Sequence, residues 1–145
     1  MKRLTALFLA CLLCLTAGCT QKKKEENEAR PVPTVHIALA AYQYEQGYSL
    51  AEGWMYDMTI SNAAQIAELT RLADASVFTM TEDDFLQGHG YLISWRAADG
   101  SKTRELLLLT NGSASMNGMI YEANGAQPLL EWLEALQLET QDVTE

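Results

Sequence analysis

From Thr34 onward the hydrophobic positions recur with two spacings, and each predicts a different element. Val35, Ile37 and Leu39 alternate with His36, Ala38 and Ala40; Trp54, Tyr56, Met58 and Ile60 alternate with Met55, Asp57 and Thr59. A period of two belongs to strands with one face toward a core. Asn62 follows, with Gln65 three residues on, an arrangement that caps the start of a helix. Ile66, Leu69, Leu72 and Ala73 line one face of that helix, and Arg71 and Asp74 mark its end. Val77 to Thr81 predicts a short strand, closed by the acidic turn Glu82-Asp83-Asp84.

Gly88-His89-Gly90 reads as a flexible turn. Asp99-Gly100 then predicts a two-residue hairpin whose twist matches the strands it joins. Taken literally, that turn pairs Tyr91 with Leu108, Ile93 with Leu106 and Trp95 with Arg104 on one face. Leu92 meets Leu107 and Ser94 meets Glu105 on the other, and the Arg104 guanidinium lies over the Trp95 indole. Leu106 to Leu109 is apolar on both faces, and its bounding turns, Asp99-Gly100 and Asn111-Gly112, predict a central strand covered on both sides. One more strand is expected from Ser115 to Glu122. Pro128 suits the first turn of a last helix, along which Leu129, Trp132, Leu133 and Leu136 form a core-facing stripe. Two amphipathic helices need an apolar cover, so the expected fold class is α+β: a single antiparallel sheet of about five or six strands with two helices packed on one face.

Ahead of this domain the pattern changes. Lys2 and Arg3 precede an apolar run from Leu4 to Ala17, broken only by Thr5 and Thr16. A membrane-spanning helix needs about 20 apolar residues, so a run of roughly 14 suits a signal peptide instead. It closes on Leu15-Thr16-Ala17-Gly18-Cys19, which resembles the lipobox of bacterial lipoproteins, with Thr16 standing where many have Leu. The resemblance implies cleavage before Cys19 and a diacylglycerol and fatty acid joined covalently to it. It also implies attachment to the cell membrane by that lipid, facing the extracytoplasmic side. Cys11 and Cys14 fall inside the leader, so the mature chain has no partner for a disulfide.

Thr20 to Pro33 carries Lys22-Lys23-Lys24, then Glu25, Glu26 and Glu28, then Pro31 and Pro33, with no apolar period, and reads as a tether. The expected organisation is a signal peptide over 1–18, the lipidated cysteine and flexible charged tether over 19–33, one domain over 34–138 and a frayed tail over 139–145. The stretch from Thr59 to Leu136 also resembles small lipoproteins of Firmicutes. It shares the capped helix after Ile60-Ser61-Asn62, the Asp-Gly hairpin and a terminal helix after a strand containing Tyr121. That resemblance implies no activity and assigns no functional residue beyond Cys19.

Charge narrows the partners. The net charge of −9 becomes −11 without Lys2 and Arg3; from Pro31 on, Arg71, Arg96, Lys102 and Arg104 face 16 acids, giving −12. So negative a domain repels nucleic acid and anionic lipid, and no nucleic-acid partner is expected. Catalytic motifs are missing: there is no G-x-S-x-G elbow, no S-x-x-K, no H-E-x-x-H and no phosphate-binding glycine loop. His36 and His89 are the two histidines, too few for a zinc site without recruited carboxylates. Neither a metal nor a cofactor beyond the lipid at Cys19 is expected.

Aromatic residues offer more. Tyr42, Tyr44, Tyr48, Trp54 and Tyr56 crowd around Glu45-Gln46-Gly47, read here as a loop. Facing outward they would form a low-entropy contact surface for an envelope protein, peptide or glycan partner. The expected function is that of a membrane-anchored, non-enzymatic binding or interaction module. One alternative is a solute-recognition or inhibitor-like accessory domain of a transporter, sensor or peptidase. Another is a carboxylate-dependent hydrolase using Glu82, Asp83 or Asp84 with His89.

Overall fold

The computed structural model describes residues 31–45 and 48–142, with side chains for all of these except 44, 45, 48–54, 141 and 142. The leader, Cys19 and the tether as far as Arg30 lie outside the described residues. The elements are β1 (Thr34–Glu45), β2 (Tyr48–Ile60), α1 (Ala63–Ala75), β3 (Val77–Met80), β4 (Phe85–Arg96), β5 (Lys102–Leu109), β6 (Ser113–Met116), β7 (Met119–Asn124) and α2 (Gln127–Asp142). They form an α+β fold with one antiparallel sheet in the order β2-β1-β4-β5-β6-β7-β3. Among the described residues no helix is long and apolar enough to cross a membrane.

Seven strands replace the expected five or six, and the reason is a dipeptide. Asn117 and Gly118 both take left-handed backbone angles, φ 51° and 79°, and turn the chain so that Met116 faces Met119. The single strand expected over Ser115 to Glu122 is therefore a hairpin. Asn-Gly is the pair that such a turn favours, since both residues tolerate positive φ. The first two strands also exceed expectation: Tyr42 and Tyr44 pair with Ala51 and Ser49, so they lie in a ladder and not in a loop. Gly88-His89-Gly90 is interior to β4, not a turn. At the other end, α2 continues to Asp142, into the tail expected to fray from residue 139.

The β4–β5 hairpin reaches the expected pairing through two irregularities that cancel. Gly100 N–H donates to Ala97 O and Ala97 N–H to Ser101 O, so the loop is one residue longer than a two-residue turn, with Gly100 at φ 84°. This sets Arg96 opposite Lys102; an extra residue, Thr103, then restores Trp95 opposite Arg104 and Tyr91 opposite Leu108. Thr103 Oγ1 donates to Trp95 O at 3.3 Å.

Both helices cover one face. Leu69, Leu72 and Ala73 of α1, with Leu129, Leu130, Leu133 and Leu136 of α2, pack on Val35, Ile37, Leu39, Tyr91, Ile93, Leu106 and Leu108. Burying each such large side chain is worth about 1.5–3 kcal/mol. Asn62 Oδ1 caps α1 by accepting from the Ala64 and Gln65 amides at 2.9 and 3.2 Å. Trp95 ties α1 to the sheet: its Nε1 donates to Thr70 Oγ1 at 3.0 Å, and Arg104 lies 4.8 Å above its ring. Arg104 Nη1 also donates to Asp74 Oδ1 at 2.6 Å.

A smaller cluster occupies the opposite face: Ala40, Tyr42, Leu86, Leu107, Leu109 and Ile120, with Leu92 against it. No helix residue belongs to it. For one cluster to hold Leu86 of β4 and Ile120 of β7, the sheet must curl, and β5 comes close to β4 at Gly90. Leu109, opposite, fills the space that a β-carbon on Gly90 would need. Thr110 fastens this approach, with its N–H and Oγ1 both directed at His89 O, at 2.9 and 3.1 Å.

Candidate functional site

The face without helices carries the chemistry that the period-two pattern turns away from the core. Across neighbouring strands, Thr59, His36, Ser94 and Glu105 stand opposite one another in a row. Asp57 joins it through a 2.7 Å contact between its Oδ1 and His36 Nε2. Glu105 Oε2 accepts from Ser94 Oγ at 3.0 Å and from Lys102 Nζ at 2.9 Å. Serine, histidine and aspartate are thus neighbours, yet Ser94 gives its hydroxyl proton to Glu105 and not to His36. A Ser-His-Asp triad needs the serine proton directed to the histidine, so this row is not an assembled triad of that kind.

Beside the row lies a cleft of about 410 Å³, lined by Leu92, Thr103, Glu105 and Leu107 on one flank and Ser115 and Asn117 on the other, with Lys102, Arg104 and Met116 at its margins. Its origin is incomplete pairing. β6 meets β5 only at Leu107 opposite Ser115 and Leu108 opposite Ala114. Toward Lys102 the two separate, and the β6–β7 turn stands off from β5. Antiparallel neighbours alternate between bonded and non-bonded pairs. His89 O accepts from Thr110 N–H, so Leu108, Leu106 and Arg104 direct their main-chain groups to β4. Leu107 and Glu105 direct theirs the other way. Leu107 meets Ser115; Glu105 has no main-chain partner on that side among the described residues.

The sequence-predicted contact residues do not share a surface. Tyr42 is 2% exposed, inside the smaller cluster, with its hydroxyl donating to Ala38 O at 3.2 Å. Burial pushes its phenol up to about 12; a hydrogen bond to the Leu92 main chain opposes this, and the Asp57 and Glu105 carboxylates reinforce it. Tyr56 lies on the opposite face, half-buried against the helix-side core, its Oη 2.7 Å from Thr140 Oγ1 of α2. Tyr44, Tyr48 and Trp54 belong to β1 and β2, but their side chains lie outside the described residues. Tyr42 is therefore core and Tyr56 packs beneath the helices on the other face, so these two do not share a contact surface.

The carboxylate-hydrolase arrangement is not assembled either. Glu82, Asp83 and Asp84 are exposed between β3 and β4, while His89 sits within β4 opposite Ala41. Five extended residue steps lead from Asp84 to His89, roughly 16 Å at about 3.3 Å each. Among the described residues no group of three or more His, Cys, Asp or Glu could hold a metal ion. That His36, Asp57, Lys102 and Asn117 are neighbours of one site is not legible in the sequence. Part of the signal was legible, because alternation sets Ser94 and Glu105 together on the face opposite Trp95 and Arg104.

No protein family, curated protein or solved structure matches this chain.

Proposed function

We propose that the chain is a bacterial lipoprotein, joined through Cys19 to diacylglycerol and fatty acid and held at the cell membrane on the extracytoplasmic side. Its domain acts as a non-enzymatic binding or interaction module for an envelope protein, peptide or glycan. The observation that supports this best is the asymmetry of the sheet. One face is sealed by α1 and α2; the other offers a cleft of about 410 Å³ and a hydrogen-bonded polar row that, among the described residues, no helix covers. A diacylated anchor holds firmly, whereas one acyl chain is marginal, so a domain tethered in this way stays at the membrane while its open face remains available.

Two measurements test the two parts. A palmitate analogue should label the wild-type chain and not the Cys19→Ser variant, which should leave the membrane fraction; equal membrane retention of an unlabelled variant refutes the anchor. A photo-crosslinker at Asn117, beside the cleft, should recover one partner repeatedly from intact cells. The same group at Glu131, exposed on α2, should not. Equal and scattered capture from both positions refutes the open-face module. The cleft volume also supports a second reading, solute recognition for a transporter, sensor or peptidase, since small-molecule pockets span about 300–1,000 Å³. That reading predicts a ligand-dependent rise in melting temperature in a metabolite screen.

A further inference from the structure

We propose that the cleft between β5 and the β6–β7 hairpin takes a cationic peptide segment in extended form, which adds to β5 as a short strand beside Glu105. The inference rests on the binding-module reading and gives it a ligand class. Its first support is the unpaired stretch of β5. A sheet edge presents main-chain donors and acceptors that a further strand can satisfy. Here the N–H and C=O of Glu105 point into the cleft, and a peptide residue opposite Glu105 would complete a bonded pair. The cleft is lined along β5 by Lys102, Thr103, Arg104, Glu105 and Leu107, and on the other side by Ser115, Met116 and Asn117. A groove that follows five residues of one strand suits a chain running along β5 better than a compact solute.

Charge selects the kind of peptide. Lys102 is paired with Glu105 and Arg104 with Asp74, so these charges balance locally and the wider field sets the sign of the ligand. Glu105 uses Oε2 for both its contacts, and Oε1 meets no donor among the described residues. At longer range, four cations face 16 acids from Pro31 onward, a net −12 that draws cations toward the domain and repels anions. A lysine or arginine beside the inserted strand gains both from Glu105 and from the surrounding field. An acidic peptide of the same shape gains from neither.

The experiment uses the lipidated, full-length mature protein in nanodiscs of zwitterionic lipid. Three seven-residue probes alternate lysine with valine, glutamate with valine, or lysine with valine carrying N-methyl groups on alternate amides. The lysine probe is expected to bind and to slow exchange of the Glu105 amide hydrogen at least tenfold. N-methylation should weaken binding at least tenfold, the glutamate probe should not bind, and Glu105→Gln should weaken the lysine probe several-fold. Absence of lysine-probe binding overturns the proposal, and so does equal binding of the glutamate probe. Equal binding of the methylated probe without Glu105 protection also overturns it, because that is adsorption by charge alone. The methylated probe needs no protein variant, so misfolding of Glu105→Gln cannot obscure the result. Should the peptides fail while Asn117 still crosslinks one partner in cells, the ligand class falls and the binding-module reading stands.

Discussion

Replacing Gly90 with alanine tests whether the sheet closes its second cluster through the close approach of β5 to this residue. Gly90 stands opposite Leu109, and a β-carbon there would fall on the Leu108 carbonyl oxygen and within 2.7 Å of Leu109 Cα and Cδ2. Carbon atoms rest at about 3.5 Å or more, so the deficit against Leu109 Cα is roughly 0.8 Å. The Cδ2 contact could be relieved by a new rotamer; the main-chain contacts cannot. Overpacking a core costs about 1–3 kcal/mol, occasionally more, and the absence of a side-chain escape places Gly90→Ala at about 3 kcal/mol or above. Gly100→Ala is the control. Its φ of 84° is left-handed, but nothing lies within 4 Å of the added carbon, so it should lose only the backbone penalty of about 1–2 kcal/mol. Urea unfolding followed by tryptophan fluorescence separates them. With a slope of about 1.5 kcal/mol per molar, the midpoint should fall by roughly 2 M or more for Gly90→Ala and by about 1 M for Gly100→Ala. If Gly90→Ala unfolds within about 0.5 M of wild type, or after Gly100→Ala, the close approach at Gly90 is not enforced.

Asn62→Ala removes the acceptor for two amides at the start of α1 and should cost about 1 kcal/mol in the same unfolding assay; no loss would mean that water caps the helix equally well. A double-mutant cycle of Asp74→Asn with Arg104→Met should give a coupling of about 0.2–1 kcal/mol that shrinks in high salt, because the pair is largely exposed. Tyr42→Phe should remove an alkaline instability. The Tyr42 phenol is neutral in both states below about pH 10. Between there and its folded value of about 12 only the unfolded chain ionises, so wild-type stability falls as pH rises, by about 3 kcal/mol. A Tyr42→Phe variant with an undiminished fall refutes that assignment; Tyr91, also raised by burial, retains part of the slope in both proteins.

Alternation was enough to predict the facing residues of β4 and β5, because a shift of one position would have turned Ile93 and Leu106 out of the core. It could not show that this register arises from a longer loop and a bulge that cancel. Two local signals mislead for a common reason, a contact between residues distant in sequence. Gly88-His89-Gly90 looks like punctuation, but Gly90 is small for the sake of Leu109. The polar neighbours of Tyr42 suggest a loop, yet it packs in one cluster with Ala40 and Leu107. Leu106 to Leu109 is covered on both faces as expected. Among the described residues, however, the second cover comes from the sheet itself and not from another layer. The cleft was not legible at all: it depends on where two strands stop pairing, which no single strand records.

The position of Asn117-Gly118 accounts for that stop. β6 has four residues, and its pairs with β5 are Leu107·Ser115 and Leu108·Ala114. Carried one step further, the ladder would bring Met116 to Leu106, and there the turn reverses the chain. Glu105 therefore lies beyond the reach of β6 whatever the side chains prefer. Sheets commonly protect an exposed edge with charged residues and bulges that hinder pairing, and Lys102, Arg104, Glu105 and the bulge at Thr103 are devices of that kind. Such protection restricts pairing without abolishing it. A neutral strand would gain the main-chain bonds of Glu105 but bring no charged partner for its carboxylate. A strand that carries its own cation offers Glu105 a partner as it enters. The features that keep the edge from indiscriminate association thus favour the ligand that the net charge of the domain attracts.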